Sequence, residues 1–80
     1  MGRRLYRPRA AAVEAGDDGI PVRIGRGAVD SVREEWLVED RWWTARPLRR
    51  RYFELTLADG ANAVVFCDLT SGKWYSQKGA

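Results

Sequence analysis

The run Arg49-Arg50-Arg51-Tyr52-Phe53-Glu54-Leu55-Thr56-Leu57, then Ala58-Asp59-Gly60-Ala61, then Asn62-Ala63-Val64-Val65-Phe66-Cys67-Asp68, decides the fold class. Phe53, Leu55 and Leu57 share one face of a period-two pattern, and Tyr52, Glu54 and Thr56 share the other. That is the alternation of a strand with one buried face. Asp59-Gly60 is a hairpin signal, because glycine reaches positive φ without steric cost and aspartate bonds its own backbone. The returning run carries Val64 and Phe66 on one face and Ala63, Val65 and Cys67 on the other. A strand apolar on both faces belongs at the centre of a sheet. The expected core is Phe53, Leu55, Val64 and Phe66, with Trp36 or Trp74 buried beside them.

Outward from this hairpin the same grammar repeats. Towards the C-terminus, Ser71-Gly72 marks a turn and Lys73–Gln77 a short last strand bearing Trp74 and Tyr75. Towards the N-terminus, Pro47 marks a loop over Thr44–Leu48. Val29–Asp40 reads two ways. Val29, Val32 and Trp36 fit a helical stripe, and Ser31 with Glu34 fits a capping box. Val32, Trp36 and Val38 also share one strand face, with Glu34 as the exception. No glycine cap ends the run, which favours a strand with a bulge near Glu34–Glu35. Gly25-Arg26-Gly27 and Asp17-Asp18-Gly19 are further turns. Between them Ile20, Val22 and Ile24 face one way and Arg23 the other, with Pro21 outward, which suggests an edge strand. Ala10–Ala15 is either a strand or a helical turn. Short strands separated by glycine turns predict an all-β antiparallel meander of roughly five or six strands. At 80 residues, closure into an SH3-like barrel is the economical way to remove sheet edges.

Composition bounds the chemistry. The chain is long enough for one thin core, with about 63% of its surface buried on folding. It has no histidine and a single cysteine, Cys67. This argues against Cys/His zinc sites, a disulfide framework and a histidine general base. No Asp-x-Asp-x-Asp-Gly loop announces a metal, and Gly25-x-Gly27 lacks the Lys and Ser/Thr of a phosphate loop. No cofactor is expected, Cys67 reads as a buried inert residue, and the chain reads as non-enzymatic. There is no apolar run of membrane-spanning length and no signal-peptide core; the lone thiol fits the cytoplasm. The net charge of +3 is unevenly placed: Arg3, Arg4, Arg7 and Arg9 supply four of the 14 basic residues, leaving 10 against 11 acidic ones. Residues 1–9 therefore read as a flexible basic tail and 10–80 as a single near-neutral domain.

The ordered signals Val32-x-x-Glu35-Trp36, Trp42-Trp43, Arg46-Pro47, Arg51-Tyr52-Phe53-Glu54-Leu55, Asp59-Gly60, Val64-Val65-Phe66, Asp68-Leu69 and Gly72-Lys73-Trp74-Tyr75 resemble a small actinobacterial-type family of unknown function. The same pattern resembles the C-terminal tail of ImuB-type proteins, inactive relatives of Y-family polymerases that act in translesion synthesis. The resemblance spans roughly residues 20–77. It implies a bacterial DNA-repair neighbourhood and a polymerase-related protein partner, without catalysis. Longer tails of that kind continue past the last aromatic strand.

Candidate partner-binding residues are Trp42, Trp43, Arg46, Arg49, Arg51 and Tyr75. Adjacent Trp42 and Trp43 point to opposite faces of a strand, so one is expected to stay exposed and fill a partner pocket or stack a base. Arg46, Arg49 and Arg51, close to Tyr52, have the chemistry of phosphate binding, but alternation puts Arg50 on the other face. The acidic run Asp30, Glu34, Glu35, Glu39 and Asp40 could neutralise these arginines across a neighbouring strand instead. Two readings follow: a protein-assembly adaptor, favoured by the near-neutral body, and a direct single-stranded nucleic-acid binder.

Overall fold

The computed structural model describes residues 8–40, 45 and 47–77. The described chain is all-β, with seven strands: β1 (Arg9–Ala10), β2 (Val13–Ala15), β3 (Pro21–Ile24), β4 (Gly27–Asp40), β5 (Leu48–Leu57), β6 (Asn62–Asp68) and β7 (Trp74–Gln77). They form one antiparallel sheet in the order β1-β7-β6-β5-β4-β3-β2, curled into a half-barrel. The first and last strands of that order are consecutive in the chain. Arg9 lies opposite Ser76 on β7, while Val13 lies opposite Ile24 on β3. Between them the Ala11 amide donates to the Trp74 carbonyl (3.1 Å) and the Ala12 carbonyl accepts from the Gly25 amide (2.7 Å). Ala11-Ala12 thus ties both ends of the curled sheet with main-chain bonds.

The hairpin between β5 and β6 turns through Ala58-Asp59-Gly60, closed where the Leu57 amide donates to the Ala61 carbonyl (2.8 Å). Gly60 sits at φ 90°, and Asp59 Oδ1 accepts from the Ala61 amide at 2.9 Å. A three-residue loop ending in a left-handed residue matches the twist of the flanking strands.

Val29–Asp40 lies wholly within β4, so the strand reading holds. Its irregularity comes from register shifts between Val29 and Ser31 and between Val32 and Glu34. The bulges therefore fall at Asp30 and Arg33, a little before the expected Glu34–Glu35. They also redistribute the faces. Val29, Val32 and Glu35 lie opposite Leu57, Leu55 and Phe53 on the inner face, whereas Trp36 lies opposite Tyr52 on the outer one. The expected grouping of Val32 with Trp36 and Val38 fails, because the bulge at Arg33 inserts one residue between them.

The inner core is Phe53, Leu55 and Val65, packed by Val13, Ile20, Ile24, Val29 and Trp74. Phe66 is equally buried (1% exposed), but pairing of Phe53 with Val65 and of Tyr52 with Phe66 puts it on the opposite face. Val64 shares that outer face and is only half-buried, so the expected single cluster is two clusters, one on each side of β5 and β6. Trp74 packs inward against Phe53, while Trp36 lies outward. Pro21 also departs from expectation: it is fully buried and Val22 is exposed. β3 is not an edge strand. The β3–β4 ladder covers only Arg23 and Ile24, so Pro21 interrupts no bond on that side, and towards β2 it meets Ala15 at a bulge.

Candidate functional site

Alternation along β5 places Arg49 and Arg51 on the inner face beyond Phe53, and the β4 register puts a carboxylate opposite or beside each. Arg49 Nε donates to Glu39 Oε2 at 3.0 Å, an exposed pair. Arg51 is held more firmly. Its Nε donates to Glu35 Oε2 at 2.6 Å, its Nη1 donates to the Asp18 carbonyl at 3.2 Å, and its guanidinium lies 4.9 Å from the Phe53 ring centroid. Gly19, at φ 82°, makes that approach possible, since a Cβ there would stand 2.7 Å from Arg51 Nη1. Cross-strand neutralisation by Glu35 and Glu39 is what the structure shows for these arginines.

On the outer face, four aromatic side chains occupy one register line across adjacent strands. Trp36 on β4 stacks on Tyr52 of β5 (5.2 Å between centroids, 7° between planes). Tyr52 meets Phe66 of β6 at 4.9 Å, and Phe66 stacks on Tyr75 of β7 at 5.2 Å. Arg50 closes the row from above: its guanidinium lies 4.5 Å from the Phe66 centroid and its Nη1 donates to Tyr52 Oη at 3.2 Å. Arg50 Nε is buried with no acceptor among the described residues, a desolvation cost offset in part by the ring beneath it. Within the row the rings stand against one another, and Trp36 at its β4 end is exposed. On the far side of the row, Glu34 lies directly opposite Glu54, two like charges in register.

The sequence-derived candidates therefore divide. Trp42, Trp43 and Arg46 lie outside the described residues. Arg49 and Arg51 come together on the inner face, engaged by acids, and Tyr75 is half-buried as the last ring of the outer row. Sequence reasoning did not single out Trp36, Tyr52, Phe66 and Arg50 as one surface. The signal was the aromatic content of the polar-looking face of β5, at Tyr52, combined with Phe66 on the doubly apolar β6.

The free edge of β4 is the second feature. β3 covers only Gly27 and Ala28, and from Ser31 to Glu39 no strand among the described residues lies on the side away from β5. Trp36 (38% exposed) and Leu37 (54%) project there to opposite faces, and a shallow depression is lined by Glu35, Trp36, Leu37 and Arg51. Cys67 lies on the inner face between Arg51 and Trp74, half-buried rather than fully enclosed. Burial and the neighbouring Asp68 push its thiol pKa up, against a smaller opposing pull from Arg51. Among the described residues no three potential metal ligands cluster, and no helix is long and apolar enough to cross a membrane.

Fold and surface together define a small curled antiparallel β-domain with a largely self-covered aromatic outer face and, among the described residues, a long open edge on β4. No family model matches the chain, and neither a curated protein nor a solved structure matches it.

Proposed function

We propose that this chain is a non-catalytic binding module that serves as a protein-assembly adaptor in DNA repair of the translesion type. The observation that supports a protein partner over a nucleic acid is the engagement of Arg49 by Glu39, Arg51 by Glu35, and Arg50 by the Phe66 ring and Tyr52. A phosphate would have to displace these partners. Tyr52 and Phe66, in the middle of the row, are turned against neighbouring rings rather than free to stack bases. Trp36 and Leu37 instead offer apolar side chains beside main chain that is unpaired among the described residues, the chemistry of strand addition by a protein. The thiol of Cys67, raised by burial, is a poor nucleophile. The repair setting rests on the resemblance of the Val32–Tyr75 signals to ImuB-type tails.

The test is a titration of fluorescent single-stranded oligonucleotide with the full chain across a salt series, run beside surface plasmon resonance with polymerase-related repair proteins. The adaptor reading expects DNA affinity no better than about 1 mM at physiological salt and measurable protein binding. Tight DNA binding with a log–log salt slope of about −0.7 per phosphate would overturn it in favour of the nucleic-acid reading.

A further inference from the structure

We propose that the open edge of β4 pairs with the same edge of a second copy of this chain, antiparallel about Trp36, to give one continuous two-domain sheet. This goes beyond the adaptor reading and does not depend on it; the second copy and the adaptor's partner compete for the same edge. Three observations carry it. The first is the edge itself, with unpaired main chain from Ser31 to Glu39 and exposed Trp36 and Leu37 among the described residues. Edges of monomeric sheets are usually short, covered or bent away, because a long one is a template for another strand.

The second is charge. Arg33, at the second bulge, stands three residues before Trp36, and Glu39, on the inner face opposite Arg49, stands three residues after it. In a two-fold pairing centred on Trp36, each Arg33 lies opposite Glu39 of the other copy, twice over. Glu34 then meets Val38 and Glu35 meets Leu37, so no like charges oppose. The neighbouring centres are worse. Centring on Leu37 opposes Glu35 and Glu39 twice, while centring on Glu35 or Glu34 sets that carboxylate against its own copy. Moving the centre by half a residue pair would match inner residues with outer ones. A strand whose opposite charges are symmetric about one residue is complementary to itself, as a two-fold interface requires.

The third is the aromatic row. Tyr75, Phe66, Tyr52 and Trp36 run in one register line to this edge. Centring on Trp36 places the second copy's Trp36 next in that line, so the row continues across the interface. Cross-strand aromatic and opposite-charge pairs are the contacts that stabilise antiparallel ladders.

The experiment is sedimentation velocity on the full chain over a wide concentration series, with Arg33→Glu, Glu39→Arg, the double variant, and an equimolar mixture of the two single variants. Far-UV circular dichroism confirms that each is folded. Wild type is expected to shift with concentration towards twice its 9.1 kDa mass. Each single variant opposes like charges at both ends of the ladder and is expected to raise the dimer dissociation constant about tenfold or more. The double variant and the mixture both restore opposite charges and should recover dimer, the mixture as a heterodimer. A wild type that stays monomeric at every concentration overturns the proposal, as does single-variant dimerisation equal to wild type. Loss in the single variants without recovery in the mixture also overturns it, because it refutes the register.

Discussion

Replacing Phe66 by leucine isolates what the outer aromatic row contributes to stability. Leucine keeps most of the apolar volume on β6 and removes the ring. Phe66 is buried, contacts Tyr52 and Tyr75 at 4.9 and 5.2 Å, and lies under Arg50 at 4.5 Å. Two aromatic pairs at about 0.5–1.5 kcal/mol each and a cation–π contact of about 0.5–1 kcal/mol give a loss of about 1.5–4 kcal/mol. A domain of this length has about 4–12 kcal/mol in total, so the variant should still fold. Phe66→Ala, at about 3–5 kcal/mol, is close to that limit and is the poorer probe. Urea unfolding followed by far-UV circular dichroism reads the effect. With a slope near 1 kcal/mol per molar for a chain this small, the midpoint should fall by about 1.5–4 M. Phe53→Leu on the inner face, which loses contacts to Trp74 (5.7 Å) and Arg51, is the control and should cost a similar amount. If Phe53→Leu is costly and Phe66→Leu shifts the midpoint by less than about 0.5 M at unchanged slope, the outer row is not a second core.

The two inner-face arginines should differ. Arg51→Ala loses an ion pair, a bond to the Asp18 carbonyl and a ring contact, and should cost about 1–2 kcal/mol, whereas Arg49→Ala loses one exposed pair worth under about 1 kcal/mol. Equal urea midpoints for the two variants would contradict this ordering. Cys67 gives a pH test. Its folded pKa is raised, so the native state holds its proton at pH values where the unfolded thiol has lost it. That contribution to stability is full below the unfolded thiol's pKa and is lost as pH rises through and above it. Iodoacetamide alkylation of the native chain should therefore need higher pH than alkylation in urea, and identical pH profiles would refute the shift.

The β5–β6 hairpin was legible because Asp59-Gly60 and the alternation from Phe53 to Leu57 agree. Its register was legible too, though unused. A three-residue loop closing Leu57 against Ala61 leads directly to Phe53 opposite Val65, which sends Phe66 to the other face. Apolar residues on both faces of β6 concealed that choice. β4 was harder for a physical reason. Each bulge adds a residue, so the inner positions Val29, Val32 and Glu35 recur every third residue and imitate a helical stripe. Pairing of Arg49 with Glu39 and Arg51 with Glu35 was foreshadowed by the acidic run, but the register that selects those two carboxylates depends on both bulges. Trp42, Trp43 and Arg46, on which the sequence reading leaned, lie outside the described residues.

Both faces of β5 and β6 carry buried or half-buried side chains, yet among the described residues there is no second layer of structure. The inner face is covered by the curl of the sheet, which brings Val13, Ile20 and Ile24 onto Phe53, Leu55 and Val65. The outer face is covered by its own side chains standing against one another, with Arg50 across the top. Tyr52 and Phe66 at the middle of the row are consequently committed to stability. What remains for recognition is where that arrangement ends. At β7 the row meets β1, whose Ala10 already pairs with Tyr75. At β4 it meets no strand among the described residues, and Trp36 and Leu37 are exposed beside the unpaired main chain. An edge with hydrogen-bonding main chain and apolar side chains on both faces recognises another strand better than it recognises a flat base or a phosphate. On the proposed reading, the same cross-strand packing that closes the outer face leaves β4 as the edge for association.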